Sequence, residues 1–410
     1  MTLAEFRRAG HWPTLLCAFL YFDVSFMIWV LLGPLAPTIA SELWPRADGL
    51  DPAEYQRQTA ALKGLLVSVP LLGGSLLRLV LGLASDRFGS RCTGLVGMAL
   101  TAVPLALGWL WADSLGGLIA VGAMLGVAGA SFAVALPLAS RWYPPGQQGL
   151  ALGIAGAGNS GTALATLFAP MLAVVVGWRG VFGLALIPLG VVFAIFLLTA
   201  KESPNRPPPQ SLGAYVRAAA EVDAWWFCFL YAITFGGFVG LASFLTTFFT
   251  DQYPAAAVGG LVTCCVVAGS FLRPVGGSLA DRFGGARLLV GLYAGIAVTL
   301  AGVATLPPVG VATVLLAAAM GLLGMGNGAV FQLVPQRFPE RIGVVTGLVG
   351  AAGGVGGFFL PNVLGLLKRA TGSYGPGFLT LALVCVGGAV MLRALGWART
   401  STPAVEPAKA

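Results

Sequence analysis

Apolar residues run along this chain in long blocks separated by short polar punctuation. They show neither the alternation of a half-buried strand nor the two-sided stripe of a soluble helix. The first six blocks fall at about 12–37, 61–84, 92–112, 115–140, 148–175 and 178–199. After the polar, proline-rich stretch KESPNRPPPQSLG, six more follow at about 224–250, 256–280, 287–306, 310–335, 343–367 and 375–397. Each holds roughly 20 residues or more, enough for a helix rising about 1.5 Å per residue to cross about 30 Å of hydrocarbon. The pattern predicts an all-α membrane protein of twelve transmembrane helices. It divides into a six-helix bundle over 1–200, a cytoplasmic linker over 201–223, a second six-helix bundle over 224–400 and a tail over 401–410. The first block is of spanning length and lacks a small-residue cleavage site after a short apolar core, so it reads as a helix and not as a cleaved leader.

Composition agrees with the pattern. The chain is 57% hydrophobic and only 9% charged, against about 25% charged in a soluble domain. The 59 glycines lie inside the apolar blocks in small-xxx-small spacings, which let membrane helices approach closely. The net charge of +8 does not point to nucleic acid, because the basic residues are scattered at block ends. With both termini cytoplasmic, fifteen of the 23 Lys and Arg fall on the inner side. Six fall outside (Arg46, Arg57, Lys63, Arg179, Lys368, Arg369), and Arg78 and Arg273 are left within the membrane. That bias fits a multi-pass inner-membrane protein in this orientation. The six cysteines form no CxxC pair and the one histidine is His11, so no disulfide framework, metal site or cofactor is expected. GGVGGF lacks the Gly-Lys-Ser/Thr ending of a phosphate loop, and ATP drive is not indicated.

The two halves repeat. GSLLRLVLGLASDRFGSR (74–91) matches GSFLRPVGGSLADRFGGAR (269–287) at an offset of 195, which pairs Arg78 with Arg273, Asp86 with Asp281, Arg87 with Arg282 and Gly89 with Gly284. The same offset pairs Gly158 with Gly353 and Gly161 with Gly356. Each membrane arginine precedes the loop aspartate by eight residues, about 12 Å of helix. Both guanidinium groups therefore lie near the midplane, one in each half, where transporters built from parallel repeats bind substrate. Asp23, in FLYFDVSFM, is the only acid expected inside the membrane. One carboxylate cannot neutralise two arginines, so an external anion is expected to complete the cavity. Forked, planar guanidinium donors suit a small planar oxyanion.

At this point a family resemblance becomes specific. GLASDRFGSR and GSLADRFGGAR look like the loop between helices 2 and 3, and between 8 and 9, of the major facilitator superfamily. GIAGAGNSGTALATLFAP (153–170) and GLVGAAGGVGGFFLP (347–361) resemble the two glycine-rich signatures of its nitrate/nitrite porter family. YAITFGGFVG (231–240) and GNGAVFQLVP (326–335) are family-like too. The resemblance implies two pseudo-symmetric six-helix bundles working as a monomer by alternating access on nitrate and nitrite. It also implies that Phe132 and Phe235 sandwich the anion and that Tyr231 donates to it. The signature on helix 11 often carries a hydroxyl near the anion, but here that stretch reads Gly347-Leu348-Val349-Gly350.

The remaining candidates follow from residue type. Gly158, Gly161 and Gly353 are assigned to the substrate site, where missing side chains allow close approach. Asn159 among them can hydrogen-bond the substrate or a neighbouring helix. Asp86, Arg87, Arg91, Asp281 and Arg282 are too shallow for substrate and read as a gating loop. Asp86 is expected to accept from a helix N-terminus of its own half. Asp23 is the candidate proton carrier for nitrate/proton symport, since burial favours the protonated carboxyl; YFDVSFM resembles the symporting branch of the family. The alternatives are a structural pairing of Asp23 and a nitrate/nitrite antiporter that needs no titratable group. Two remoter readings are a nitrate-binding sensor and an exporter of another substrate, which would want midplane acids. Catalysis is not expected, because no cluster of His, Cys or carboxylates is present.

Overall fold

The computed structural model describes residues 3–204, 212–254, 256–338 and 342–396. The tail expected at 401–410, and 205–211 of the expected linker, lie outside the described residues. Among the described residues every regular element is helical, and eleven helices are long and apolar enough to cross a membrane. In chain order these are α1 (Trp12–Leu43), α2 (Pro52–Phe88), α3 (Ser90–Leu110), α4 (Leu115–Ser140), Leu150–Thr199, α7 (Val222–Gln252), α8 (Val258–Phe283), α9 (Gly285–Ala304), α10 (Val309–Arg337), α11 (Ile342–Thr371) and α12 (Gly375–Ala394). The 50-residue element Leu150–Thr199 is interrupted at Gly177, whose φ of 71° and ψ of 161° are not helical. Its arms are α5 (150–176) and α6 (178–199).

Glycine conformations recur along the chain. Gly89 (φ 94°) separates α2 from α3, and Gly284 (φ 84°), 195 residues on, separates α8 from α9. Gly177 (φ 71°) and Gly372 (φ 78°) are again 195 apart. Only glycine takes positive φ without steric cost, so at Gly89, Gly177 and Gly284 one helix stops and the next starts within a residue, while Ser373 and Tyr374 follow Gly372 before α12 begins.

Helix α2 starts nine residues before the apolar block that predicts it. The Asp51 carboxylate accepts from the Ala53 amide at 3.3 Å, Pro52 sits in the first turn and Glu54 follows it. That is a well-formed N-terminus, invisible to a criterion based on apolar length. Arg57 and Lys63, expected outside, therefore stand on a helix.

Close helix pairs are made by glycine. Gly126 of α4 lies against the backbone of Gly73 and Gly74 of α2, and Gly324 of α10 lies against that of Gly269 of α8. Gly33 of α1 meets Ser243 of α7, and Gly64 of α2 meets Pro361 of α11. A methyl group at any of them would collide with main chain.

Four helices lose regularity at mid-length. α1 breaks between Trp29 and Leu32 and α4 between Gly129 and Phe132. α5 tightens to a three-ten turn over Ala157–Ser160, and α7 widens to a π turn over Ala232–Gly236. Irregular backbone at membrane depth is tolerated where protein or a cavity covers it, and π turns often mark functional positions.

The structure corrects one expectation about charge. Asp23 is half-buried, and a second acid within a candidate span is buried. Asp251, at the last turn of α7, pairs with Lys63 of α2 at 2.7 Å, and both side chains are 3% exposed. The hydroxyl of the buried Tyr374 donates to the other Asp251 oxygen at 2.7 Å. The Lys368 ammonium lies over the Tyr374 ring at 4.9 Å. The apolar block ends at about 250, so Asp251 reads as a loop residue in sequence; α7 runs on and carries it inside.

Candidate anion-binding site

Arg78 projects from α2 into the bundle and is 3% exposed. Its Nε donates to the Gly129 carbonyl of α4 at 3.1 Å. One terminal nitrogen donates to the Gly350 carbonyl of α11 at 2.6 Å; the other, Nη2, has no protein partner. Three aromatic faces surround its Cζ: Trp29 at 5.1 Å, Phe132 at 5.3 Å and Phe235 at 4.8 Å. Aromatic faces attract a cation at about 0.5–2 kcal/mol each, yet they leave its net charge intact.

Arg273 of α8 approaches one of the same rings, Phe132, together with Phe331. Its Cζ is 5.9 Å from Phe132 and 5.9 Å from Phe331, and its Nη1 is buried without a partner. Phe132 thus lies beside both arginines. Among the described residues no carboxylate pairs with either.

The aromatic wall closes on itself. Tyr231, just before the π turn of α7, and Phe235, within it, stack at 5.2 Å and 7°. Phe331 meets Tyr231 at 4.6 Å and Phe132 at 6.0 Å. The Tyr231 hydroxyl is buried without a hydrogen-bond partner. Gly353 of α11 backs this pair: a Cβ there would lie 2.6 Å from the Tyr231 ring and 2.9 Å from Phe235. Sequence reasoning grouped Arg78, Arg273, Phe132, Tyr231 and Phe235, and the structure brings all five together.

The glycines of α5 have another role. Gly158 lies against Phe19 and Phe22, and Gly161 against the Asp23 main chain, so they seat α5 on α1 instead of reaching the arginines. Asn159 between them is buried, and both its amide atoms lack partners. The turn carrying it also touches α8, the helix of Arg273. Asp23 accepts from the Ser160 hydroxyl at 2.8 Å and is bound by neither arginine. Its structural pairing is thus with a hydroxyl and not with an arginine.

The loop residues divide between the halves. Asp86 pairs with Arg141 at the end of α4 at 2.8 Å, a guanidinium in place of the helix N-terminus expected. The Arg91 amide donates to Glu202 at 2.7 Å, and its guanidinium to the Leu197 carbonyl at 2.9 Å. Arg87 lies over Phe88 at 5.8 Å. Asp281 and Arg282 are exposed, while Arg337 pairs with Asp223.

Sequence reasoning missed Trp29, Phe331 and Ser160. Trp29 lies in a slot that Gly74 and Gly129 leave open, and its indole donates to the Pro70 carbonyl at 2.6 Å. Phe331 stands inside the quoted stretch GNGAVFQLVP, but no spacing rule singles it out among the 24 phenylalanines. Ser160 needed only the spatial pairing of α5 with α1.

Comparison with known proteins fixes the class. The Major Facilitator Superfamily matches residues 14–361. The xylose transporter XylE from E. coli, in a partially occluded inward open conformation, superposes with a TM-score of 0.72 at 16% identity, covering 93% of this chain and 98% of that one. The fold is therefore that of the superfamily. The nitrite extrusion protein of Bacillus subtilis (strain 168) is 36% identical over 381 residues, 91% of each chain. The probable nitrate/nitrite transporter NarK2 of Mycobacterium tuberculosis (strain ATCC 25618 / H37Rv) is 36% identical over 356 residues, 83% of this chain and 85% of that relative. The chain belongs to the nitrate/nitrite porter family of the superfamily.

Proposed function

We propose that this protein is a secondary transporter that moves nitrate, and nitrite with it, across the inner membrane by alternating access. The observation that carries the reading is the central pair: Arg78 and Arg273 share Phe132, each with a buried guanidinium nitrogen that no protein atom satisfies. A small planar anion supplies the charge and the acceptors. Arg78 and Arg273 hold its oxygens, Tyr231 donates to it, Phe132 and Phe235 form flat walls, and Asn159 reaches it from α5. A doubly charged tetrahedral oxyanion needs more donors than this wall offers. The names of the relatives support nitrate and nitrite as cargo.

The twelve-crossing architecture belongs to the same reading. A 50-residue helix would be about 75 Å long, far beyond one crossing. Gly177 divides it as Gly372 divides α11 from α12, which supports two crossings there and twelve in all. The two glycine pairs at an offset of 195, with like conformations, support pseudo-symmetric halves over 1–200 and 224–400. Lysine and arginine bias supports cytoplasmic termini and a cytoplasmic linker over 201–223. On that orientation, the Lys63–Asp251 pair and the contacts of Gly33 with Ser243 and Gly64 with Pro361 close the outer ends. The DRFG-type loops lie on the opposite, inner side. Asp86 with Arg141, and Arg87, Arg91, Asp281 and Arg282 around them, form the inner gate.

Coupling follows from Asp23. In symport it carries the proton, with Ser160 as its partner; in antiport, nitrate exchanges for nitrite and the uncompensated arginines block return of the empty carrier. The position of Asp23 beside α5, on the Ser160 hydroxyl, supports the symport branch. Reconstitution into liposomes tests it. Nitrate uptake is expected to respond to an inward proton gradient and to lose that response in Asp23→Asn. Uptake that ignores the gradient and requires internal nitrite overturns symport and favours exchange. A protein that takes up neither anion under either condition overturns the transport reading itself.

A further inference from the structure

Asn327 of α10 is fully buried, and neither its Oδ1 nor its Nδ2 has a hydrogen-bond partner in the protein. A buried amide with both ends unmade is unusual. Three neighbours on its own helix fix where it points. Gly326 lies against the side chain of Thr234, in the π turn between Tyr231 and Phe235. Gly328 lies against the Arg273 carbonyl of α8. Phe331, one turn further, meets Tyr231 at 4.6 Å, and its ring is 5.9 Å from the Arg273 Cζ. Successive helical residues are about 100° apart. The side chain at 327 therefore projects between the directions of Gly326 and Gly328, on the face that carries Phe331. That is the interval between α7 and α8, at the depth of Arg273.

The internal repeat gives the same place independently. Asn327 stands 195 residues after Phe132, the ring shared by the two arginines. One half of the molecule presents a phenyl group at this position and the other presents an amide.

We propose that Asn327 is a further arm of the anion site and the residue that separates nitrate from nitrite. The inference rests on the functional reading above and deepens it. Nitrate is flat with three oxygens. The unpartnered nitrogens of Arg78 and Arg273 take two of them, and the Asn327 amide donates to the third. Nitrite has no third oxygen, so the same amide adds nothing to its binding. Selectivity arises from a hydrogen bond that only one ion can complete.

Asn327→Leu, close in size and without a donor, tests this in the full-length protein. Nitrate and nitrite affinities are measured by titration in detergent, with thermal melting alongside. Nitrate affinity is expected to fall about tenfold, equivalent to about 1.4 kcal/mol. Nitrite affinity is expected to change by less than about threefold, half a decade on that scale. The melting temperature is expected to hold or rise, because the amide gives up no protein partner. A wild-type ratio of the two affinities overturns the proposal, as does a lower melting temperature with both ions weakened equally, which would make Asn327 a packing residue. Asn327→Asp is the second variant: a carboxylate of the same shape beside two arginines is expected to abolish both affinities and raise the melting temperature, and unchanged binding of either ion would contradict it. Failure of the functional reading looks different, because wild-type protein would then bind neither nitrate nor nitrite before any substitution.

Discussion

Near one end of the bundle, Lys63 meets Asp251 at 2.7 Å with Tyr374 completing the carboxylate. At mid-length, Arg78 and Arg273 share a phenyl ring, each with an unpartnered nitrogen. Both clusters take a cation from α2, Lys63 in one and Arg78 in the other, yet one is neutralised from within and the other is not. A buried charge without a partner costs several kcal/mol. The chain provides a carboxylate where α2 meets α7 and withholds one where α2 faces α8. The first arrangement ties two helices together; the second leaves an electrostatic demand that a ligand meets. The surroundings differ in the same sense. The lysine pair lines an open vestibule of about 460 Å³ with Arg46 and Tyr55, whereas the arginines are enclosed by Trp29, Phe132, Phe235 and Phe331.

The contrast breaks most visibly on truncation. Asp251→Ala leaves Lys63 buried and unpaired, and thermal or chemical unfolding is expected to show a loss of about 3–5 kcal/mol. Arg273→Met removes an uncompensated charge, so its melting temperature in nitrate-free buffer is expected to equal or exceed wild type while nitrate uptake disappears. A large loss of stability in Arg273→Met would mean that the central arginines are structural as well, and the contrast would collapse.

A smaller effect sharpens the description of the wall. Gly353→Ala places a methyl group within 2.6 Å of the Tyr231 ring, and overpacking of this kind costs about 1–3 kcal/mol. Nitrate affinity is expected to weaken as the stacked Tyr231 and Phe235 shift. Normal affinity in this variant would show that the two rings do not touch the anion. The smallest change in stability belongs to the junction between α2 and α3. Asp86→Asn breaks a partly exposed pair with Arg141, and melting is expected to register about 1 kcal/mol or less. Transport turnover is expected to fall by more than stability does, because the pair belongs to the proposed gate; equal losses in both would reduce it to a surface ion pair.

How far these regions were legible in the sequence follows from what each depends on. The arginines stood out because charge inside an apolar block is self-evident, and the 195-residue repeat supplied the second from the first. Tyr231, Phe235 and Phe132 were reached through family resemblance, since aromatic residues in an apolar helix carry no mark of their own. The Lys63–Asp251 pair was hidden because both residues stand near ends of apolar blocks, where charge is ordinary, and only the packing of α2 on α7 buries them. Asn327 was visible inside a quoted motif, and the offset that pairs it with Phe132 was already known. What was lacking was the depth of α10 against α8, which Gly328 fixes by lying on the Arg273 main chain. The breaks in α1, α4, α5 and α7 were not legible either, because each depends on contacts across helices and not on local propensity.

Nitrate-dependent thermal stabilisation of the purified protein tests the central claim, that two uncompensated arginines hold the anion. A ligand that binds only the folded state raises stability by about 2.7 kcal/mol at a hundred times its dissociation constant. Wild type is expected to melt higher in nitrate than in an equal concentration of a bulky organic anion, and Arg78→Lys and Arg273→Lys, folded to the same level, are expected to lose that shift. An undiminished nitrate shift in either variant would contradict the account.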